Sequence, residues 1–310
     1  MPEAEDQFGA PEFLGWYLLV RLKERSDEQI SRSKFLKLCC IADRYLLEEL
    51  DYDVGLPRYW YMYGELANEH EFRGRYYNAP TAIGWDGQQY LPKLNLTFDD
   101  FDISNEDVRL ITAGVEWTVH NYGGETVEDI KRHQYSEHAP DEFIRRYSEL
   151  RWLLKTIDLG SQQRLDTYDG SFESNEEYVN SLLDQMIEVY PKEEDRYDEM
   201  YSLYLRWDDT VRLMLGQTGD FGAAEEALDE FIFTLSRVVL RFKYNRNISA
   251  DRLRDWENDA DTKKADFSKS LRQRRKELLR SRERGTELDA VSETYSKAIA
   301  DDISRILAGD

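Results

Sequence analysis

The chain of 310 residues has only two cysteines, four histidines and seven prolines. Cys39 and Cys40 are adjacent in sequence. They cannot readily pair with each other, so no disulfide framework is expected. No apolar run approaches the roughly 18 residues needed to cross a bilayer. The longest, Phe13 to Val20, is interrupted by Gly15. The chain starts on acids (Glu3, Glu5, Asp6), which does not fit a signal or transit peptide. The expectation is a soluble, cytoplasmic protein with no membrane contact. Several chemical signatures are missing as well. There is no GxxxxGK[ST] or GxGxxG to cradle a nucleotide phosphate, and no GxSxG nucleophile elbow. There is no HExxH or CxxC to bind zinc. His133 and His138 lie five residues apart, off the i, i+4 spacing that aligns two ligands on one helix face. No metal, cofactor or catalytic residue is therefore expected, and the protein is read as a non-enzyme.

Acidic charge and aromatic rings are abundant. The formal net charge is −22, from 63 acids against 41 bases, and aromatics make up 13% of the chain. Such a chain can bury a sizeable core and is no disordered acidic tail. The acids divide into 31 Asp and 32 Glu, and the bases into 28 Arg and only 13 Lys. This mix resembles proteins of salt-loving microbes, where molar salt shortens the Debye length to about 3 Å and screens self-repulsion. Mimicry of nucleic acid is the functional alternative for such acidity. The charge is uneven along the chain. Residues 1–165 and 166–250 each carry −11, whereas 251–310 balance 14 acids with 14 bases. Inside that last block, 263–284 holds ten bases and three acids, a local +7.

Periodicity predicts a mainly α protein: an N-terminal α+β domain with a small β-hairpin element, then an antiparallel helical bundle. Apolar residues at helical spacing mark a helix from Glu12 to about Arg25, and another after Ser31 as N-cap. Arg58-Tyr-Trp-Tyr-Met-Tyr-Gly64 reads as a strand or the start of a short helix. Gly84-Trp85-Asp86-Gly87 is a turn signal between Tyr76–Ile83 and Gln89–Leu96. Ser104, Thr126 and Pro140 open helices ending near Asn121, His138 and residue 158. Polar residues 161–173 read as a linker, dividing a domain at 1–160 from one at 174–310. Helices at about 175–190, 193–215, 221–244 and 250–284 follow. Gly285 is expected to end the fourth, and Thr286 to open the last.

Two stretches suggest binding. Tyr59-Trp60-Tyr61-Met62-Tyr63 is dense in rings, which suit a core, a protein-binding surface or base stacking. The basic run, with Arg272, Arg274, Arg275, Lys276 and Arg280, suits a phosphate-tracking helix, a dock for an acidic partner, or a bundle helix that neutralises acidic neighbours.

One region resembles a known family. Ser33-Lys-Phe-Leu-Lys-Leu-Cys-Cys-Ile-Ala-Asp43 resembles the K-x-x-K-L-L-Y-L-A-D helix of the Panacea, or SocA-like, antitoxin domain. Pro57-Arg-Tyr-Trp-Tyr-Met-Tyr-Gly64 resembles that family's next segment, an aromatic stretch ending in Tyr-Gly-Pro. Tyr122-Gly123 and Thr126 to His133 resemble its closing helices. The order of motifs agrees over roughly residues 13–155. Glu65 stands where the family usually has Pro, and the family's Trp shortly after the His is missing. The resemblance implies a small, mainly helical domain that neutralises a toxin by protein–protein contact, with no catalytic residues. Its signature positions here are Lys34, Asp43, Trp60, Tyr63, Gly64 and His133. The expected partner is a cognate toxin or a regulated protein. Nucleic acid at 263–284, as for a DNA-associated regulator or defence component, is the alternative.

Overall fold

The computed structural model describes residues 8–26, 29–69, 81–158 and 175–308, with side chains except those of 158, 218 and 283–308. It is mostly helical, with small antiparallel sheets near the N-terminus followed by helices. The segment read as a linker, 161–173, and the hairpin positions 76–80 lie outside the described residues, as does His70.

Helix α1 (Ala10–Arg25) starts two residues earlier than its periodicity suggests, because Pro11 suits a first turn and Glu12 accepts from the Gly9 N–H at 3.2 Å. Hydroxyl caps set the next starts. Ser31 opens α2 (Arg32–Leu50), Ser104 opens α3 (Asn105–Tyr122) and Thr126 opens α4 (Val127–His138). Each hydroxyl accepts a backbone N–H three residues on, satisfying an otherwise orphaned donor for about 1 kcal/mol. The apolar stripes of α1, α2 and α3 pack together around Phe13, Phe35, Leu38, Ile111 and Val115.

The aromatic stretch forms a strand. β1 (Arg58–Tyr61) turns at Met62–Tyr63 into β2 (Gly64–Ala67), with Trp60 opposite Glu65. A two-residue strand from the far half of the chain, β5 (Asn245–Arg246), completes the antiparallel order β2-β1-β5. The second hairpin is β3 (Ile83–Trp85) with β4 (Tyr90–Pro92), closed at Asp86, whose carboxylate accepts the N–H groups of Gln88 and Gln89 at 2.8 Å.

The second core gathers α5 (Glu142–Asp158), α6 (Asn175–Glu188), α7 (Asp195–Thr218) and α8 (Phe221–Leu235). Aromatic rings fill it: Tyr190 stacks on Tyr204 at 4.5 Å and Trp207 on Phe231 at 4.8 Å. Trp60 of β1 and Tyr135 of α4 belong to this core too, so it begins well before the polar 161–173 stretch. Asp141 ties the start of α5 to the bundle by accepting from Tyr197 and Tyr244, both at 2.6 Å. After α8 the chain widens into a π turn at Ser236–Leu240 before Arg241–Lys243.

The last helix corrects an expectation. α9 runs unbroken over Ala250–Ala308, through Gly285. An internal glycine costs a helix only about 1 kcal/mol against alanine, and good helix formers flank this one. α9 docks by Trp256, Ala260, Phe267 and Leu271, all buried, with Leu278 packed at the edge of the core.

Candidate functional site

Asp43 lies on the inner side of α2 and is 1% exposed. Arg58, at the head of β1, donates to it and to Glu65 of β2. Arg58 and Glu65 are 6% and 4% exposed. Arg44 donates to Glu65 at 2.6 Å and to Glu48 at 2.9 Å. Two buried carboxylates thus face two guanidiniums. The balance matters, because a buried charge without a partner costs several kcal/mol. Burial pushes the Asp43 carboxyl up while Arg58 pulls it down. Burial draws the Arg58 guanidinium down, but Glu65 and Asp43 outweigh it and its pKa lies above the ordinary value. Glu65, the departure from the family pattern, is therefore the second carboxylate of this node.

One and a half turns earlier on α2, Lys37 is 2% exposed. Its Nζ donates to the Tyr63 carbonyl and, at 2.7 Å, to Gln134 Oε1 of α4. Burial pushes it down to about 7. Gly64 adopts φ +105°, and a Cβ there would stand 3.1 Å from Lys37 Nζ and closer still to Gln134 Oε1. Both the backbone conformation and the close approach call for glycine.

Tyr63, at the tip of the hairpin, is half-buried between two cations. Lys131 Nζ and Arg151 Cζ stand 4.7 and 4.8 Å from its ring centre. Its hydroxyl donates to Asp229 of α8 at 3.4 Å, and Arg151 donates to the same carboxylate at 3.1 Å. Burial and Asp229 raise the phenol pKa. Glu128 accepts from Lys131 at 2.9 Å and from Lys155 at 3.2 Å. Trp152 then carries Arg132 over its ring at 4.3 Å and Lys155 at 5.6 Å. The result is a continuous, partly exposed strip of rings and paired ions on α4, α5 and the hairpin tip. Beyond Asp229 it borders a cavity of about 550 Å³ with Asp220, Glu225 and Glu226 in its lining.

The other expected positions act as struts around this unit. Lys34 Nζ donates to the Gly123 carbonyl at 3.0 Å. Trp60 is 1% exposed and meets Tyr135 edge-on at 5.6 Å. His133 Nε2 pairs with the Tyr122 hydroxyl at 3.0 Å, and burial lowers its pKa. Its ring lies 5.3 Å from that of His138, although five-residue spacing argues against one face. His138 is the last residue of α4, where the two imidazoles reach across the helix end. Burial, then Arg44 and His133, lower the His138 pKa. Among the described residues no group of three or more His, Cys, Asp or Glu is arranged to hold a metal. Cys39 and Cys40 are wholly buried, and burial raises both thiols well above their ordinary value.

The aromatic stretch alternates as a strand must. Trp60 points into the core, Tyr59 lies on Trp256 of α9 at 4.9 Å, and Tyr61 accepts from Arg237 at 3.2 Å. Three bases of the basic run face the bundle's acids. Lys264 pairs with Glu199 at 3.2 Å, Arg274 with Glu230 at 3.3 Å and Arg275 with Asp209 at 3.3 Å. Arg272, Lys276 and Arg280 are exposed. Sequence reasoning did not single out Lys37, Arg58, Arg151 or Asp229 as site residues. Lys37 left a signal, a cation on the apolar face of α2. Arg151 and Asp229, 78 residues apart, left none.

Comparison of the chain with protein families, with characterised proteins and with solved structures finds no match.

Proposed function

We propose that this protein is an antitoxin-like interaction module that binds and neutralises a partner toxin, or regulates a partner protein, through the strip around Tyr63 and Trp152. It works by contact and not by catalysis. One observation carries the reading. Of the positions that resemble the antitoxin family, Asp43, Trp60, Tyr63 and Gly64 gather at the β1–β2 hairpin, and Lys34 and His133 brace the neighbouring α3–α4 junction through Gly123 and Tyr122. Beside the hairpin lies a strip of half-buried rings and arginines, the residue types that dominate the energetics of protein interfaces. The bases of α9 that pair with Glu199, Glu230 and Asp209 favour a structural duty for that part of the basic run.

The test is co-expression of the full chain with the product of the adjacent gene. Co-purification and rescue of growth are expected, with both lost in Tyr63→Ala plus Trp152→Ala while circular dichroism stays unchanged. Absence of a protein partner, with DNA retention that salt and neutralisation of Arg272, Arg274, Arg275 and Lys276 abolish, overturns the reading in favour of a DNA-associated regulator.

A further inference from the structure

Where β1 meets the start of α9, hydrogen-bond donors outnumber their acceptors. Arg237, in the π turn, and Arg241, just after it, both donate to Asp259 of α9 at 3.1 Å. Arg241 is 5% exposed, and its Nε is buried without a partner. Burial, opposed by Asp259 and reinforced by Arg237, holds its pKa below the ordinary guanidinium value. A third guanidinium comes from Arg252, one turn before Trp256. The Cζ atoms of Arg241 and Arg252 lie 5.1 and 5.9 Å from the Trp256 ring centre. Among the described residues Arg252 pairs with no carboxylate, and its Nε is also buried without a partner. Three guanidiniums therefore share one carboxylate, a local surplus of two positive charges in a protein of net charge −22.

Two phenols join them. Tyr59 and Tyr61 alternate with Trp60 and so lie on one face of β1, their rings 6.0 Å apart. Tyr61 accepts from Arg237 Nε at 3.2 Å, which leaves its own O–H to donate, and no acceptor for it is present among the described residues. The Tyr59 hydroxyl makes no hydrogen bond among the described residues and is not sealed from solvent. Burial and Tyr61 raise the Tyr59 phenol, while Arg252, Arg241 and Arg32 pull it down, so these groups lie within electrostatic reach of one hydroxyl. Arg32 is already paired with Glu69. What remains is a set of donors, the two hydroxyls and Arg252, with nothing to receive them.

A ligand that completes this set accepts hydrogen bonds and carries two negative charges. A phosphate monoester or inorganic phosphate does both near neutral pH, and its oxygens match the guanidinium fork. A carboxylate brings one charge only. Duplex DNA has to lay an extended polyanion against a protein of net charge −22.

We propose that the seam between β1 and α9 binds a dianionic phosphate group, held by Arg237, Arg252 and the hydroxyls of Tyr59 and Tyr61. The site is independent of the toxin-binding strip. An occupant bridges the hairpin sheet and α9, so it stabilises the folded chain by mass action.

Isothermal titration calorimetry of the full chain, in about 0.15 M potassium chloride at neutral pH, tests this with inorganic phosphate and with glycerol phosphate. One saturable site is expected, with a thermal midpoint that climbs as either probe is added. Tighter binding of the ester assigns the site to a phosphorylated small molecule, and equal binding assigns it to free phosphate. Arg252→Gln should weaken binding by about tenfold or more, and Tyr61→Phe by about fivefold. Arg272→Gln removes an exposed base further along the same helix and should leave binding unchanged. Circular dichroism of each variant separates lost binding from unfolding. No saturable binding of either probe overturns the proposal. So does an equal loss in Arg272→Gln, or retention of duplex DNA with no binding of phosphate.

Discussion

Lys37 shows how one residue serves the fold and records its cost. An ammonium without solvent is held by two acceptors, the Tyr63 carbonyl and Gln134, and burial moves it to about 7 against an ordinary 10.5. Between those values the unfolded chain binds a proton that the folded chain does not, so this residue makes stability rise with pH, by at most about 1.4 kcal/mol per pH unit. The buried thiols of Cys39 and Cys40, raised above 9, act in the opposite sense as the unfolded thiols ionise. The prediction is therefore a difference. From pH 7 to 8.5, urea-unfolding stability of the wild type should rise relative to Lys37→Met. Parallel curves would mean that Lys37 is charged in the fold. Asp43, Arg58 and Glu65 follow the same logic with charges kept. Their patterning was legible in part, since Asp43 stands in the family-like motif. The pairing of Arg58 with a glutamate seven residues on was not, because it depends on the register of the β1–β2 hairpin, which sets Glu65 diagonally across from Arg58.

At the scale of elements, caps and turns were readable because their chemistry is local. Ser31, Ser104 and Thr126 each satisfy a donor three residues away, and Asp86 closes a hairpin with its own carboxylate. The end of the last helix was misread for the opposite reason. A glycine is a stop only where the chain turns away after it, and α9 continues. α9 holds to the bundle through Phe267 and Leu271, 2% and 3% exposed, and the ion pairs beside them are partly solvated. Solvated pairs are worth roughly 0 to 1 kcal/mol. Phe267→Ala is thus expected to cost about 3 to 5 kcal/mol, and Leu279→Ala, at an exposed position, no more than about 0.5 kcal/mol. Thermal melts of the two variants decide it. Equal losses would show that the stripe does not carry the docking.

Among the described residues two cores are joined by shared elements. Trp60 and Tyr135 reach from the first half into the second core, and β5 returns from the second half to the sheet of the first. Arg246 reinforces that return by pairing with Asp53 at 2.7 Å. The net charge of −22 acts on the molecule as a whole. Self-repulsion of this size opposes compaction, and added salt screens it. The midpoint of thermal unfolding is expected to rise from 0.05 to 2 M potassium chloride, monitored by circular dichroism. A flat or falling midpoint would show that the acids are already compensated locally.

The sequence by itself determined most of the helices, their hydroxyl caps and the hairpin signals, because each depends on residues within a few positions of one another. It also determined the charge contrast along α9, which is composition and needs no fold. Only the tertiary structure decided that Lys37 is buried on two neutral oxygens and Asp43 on Arg58, that Tyr63 sits between Lys131 and Arg151, and that Asp229 closes the strip. These partners are 15 to 166 residues apart. No periodicity brings them together, since their meeting follows from how hairpin, helices and bundle pack.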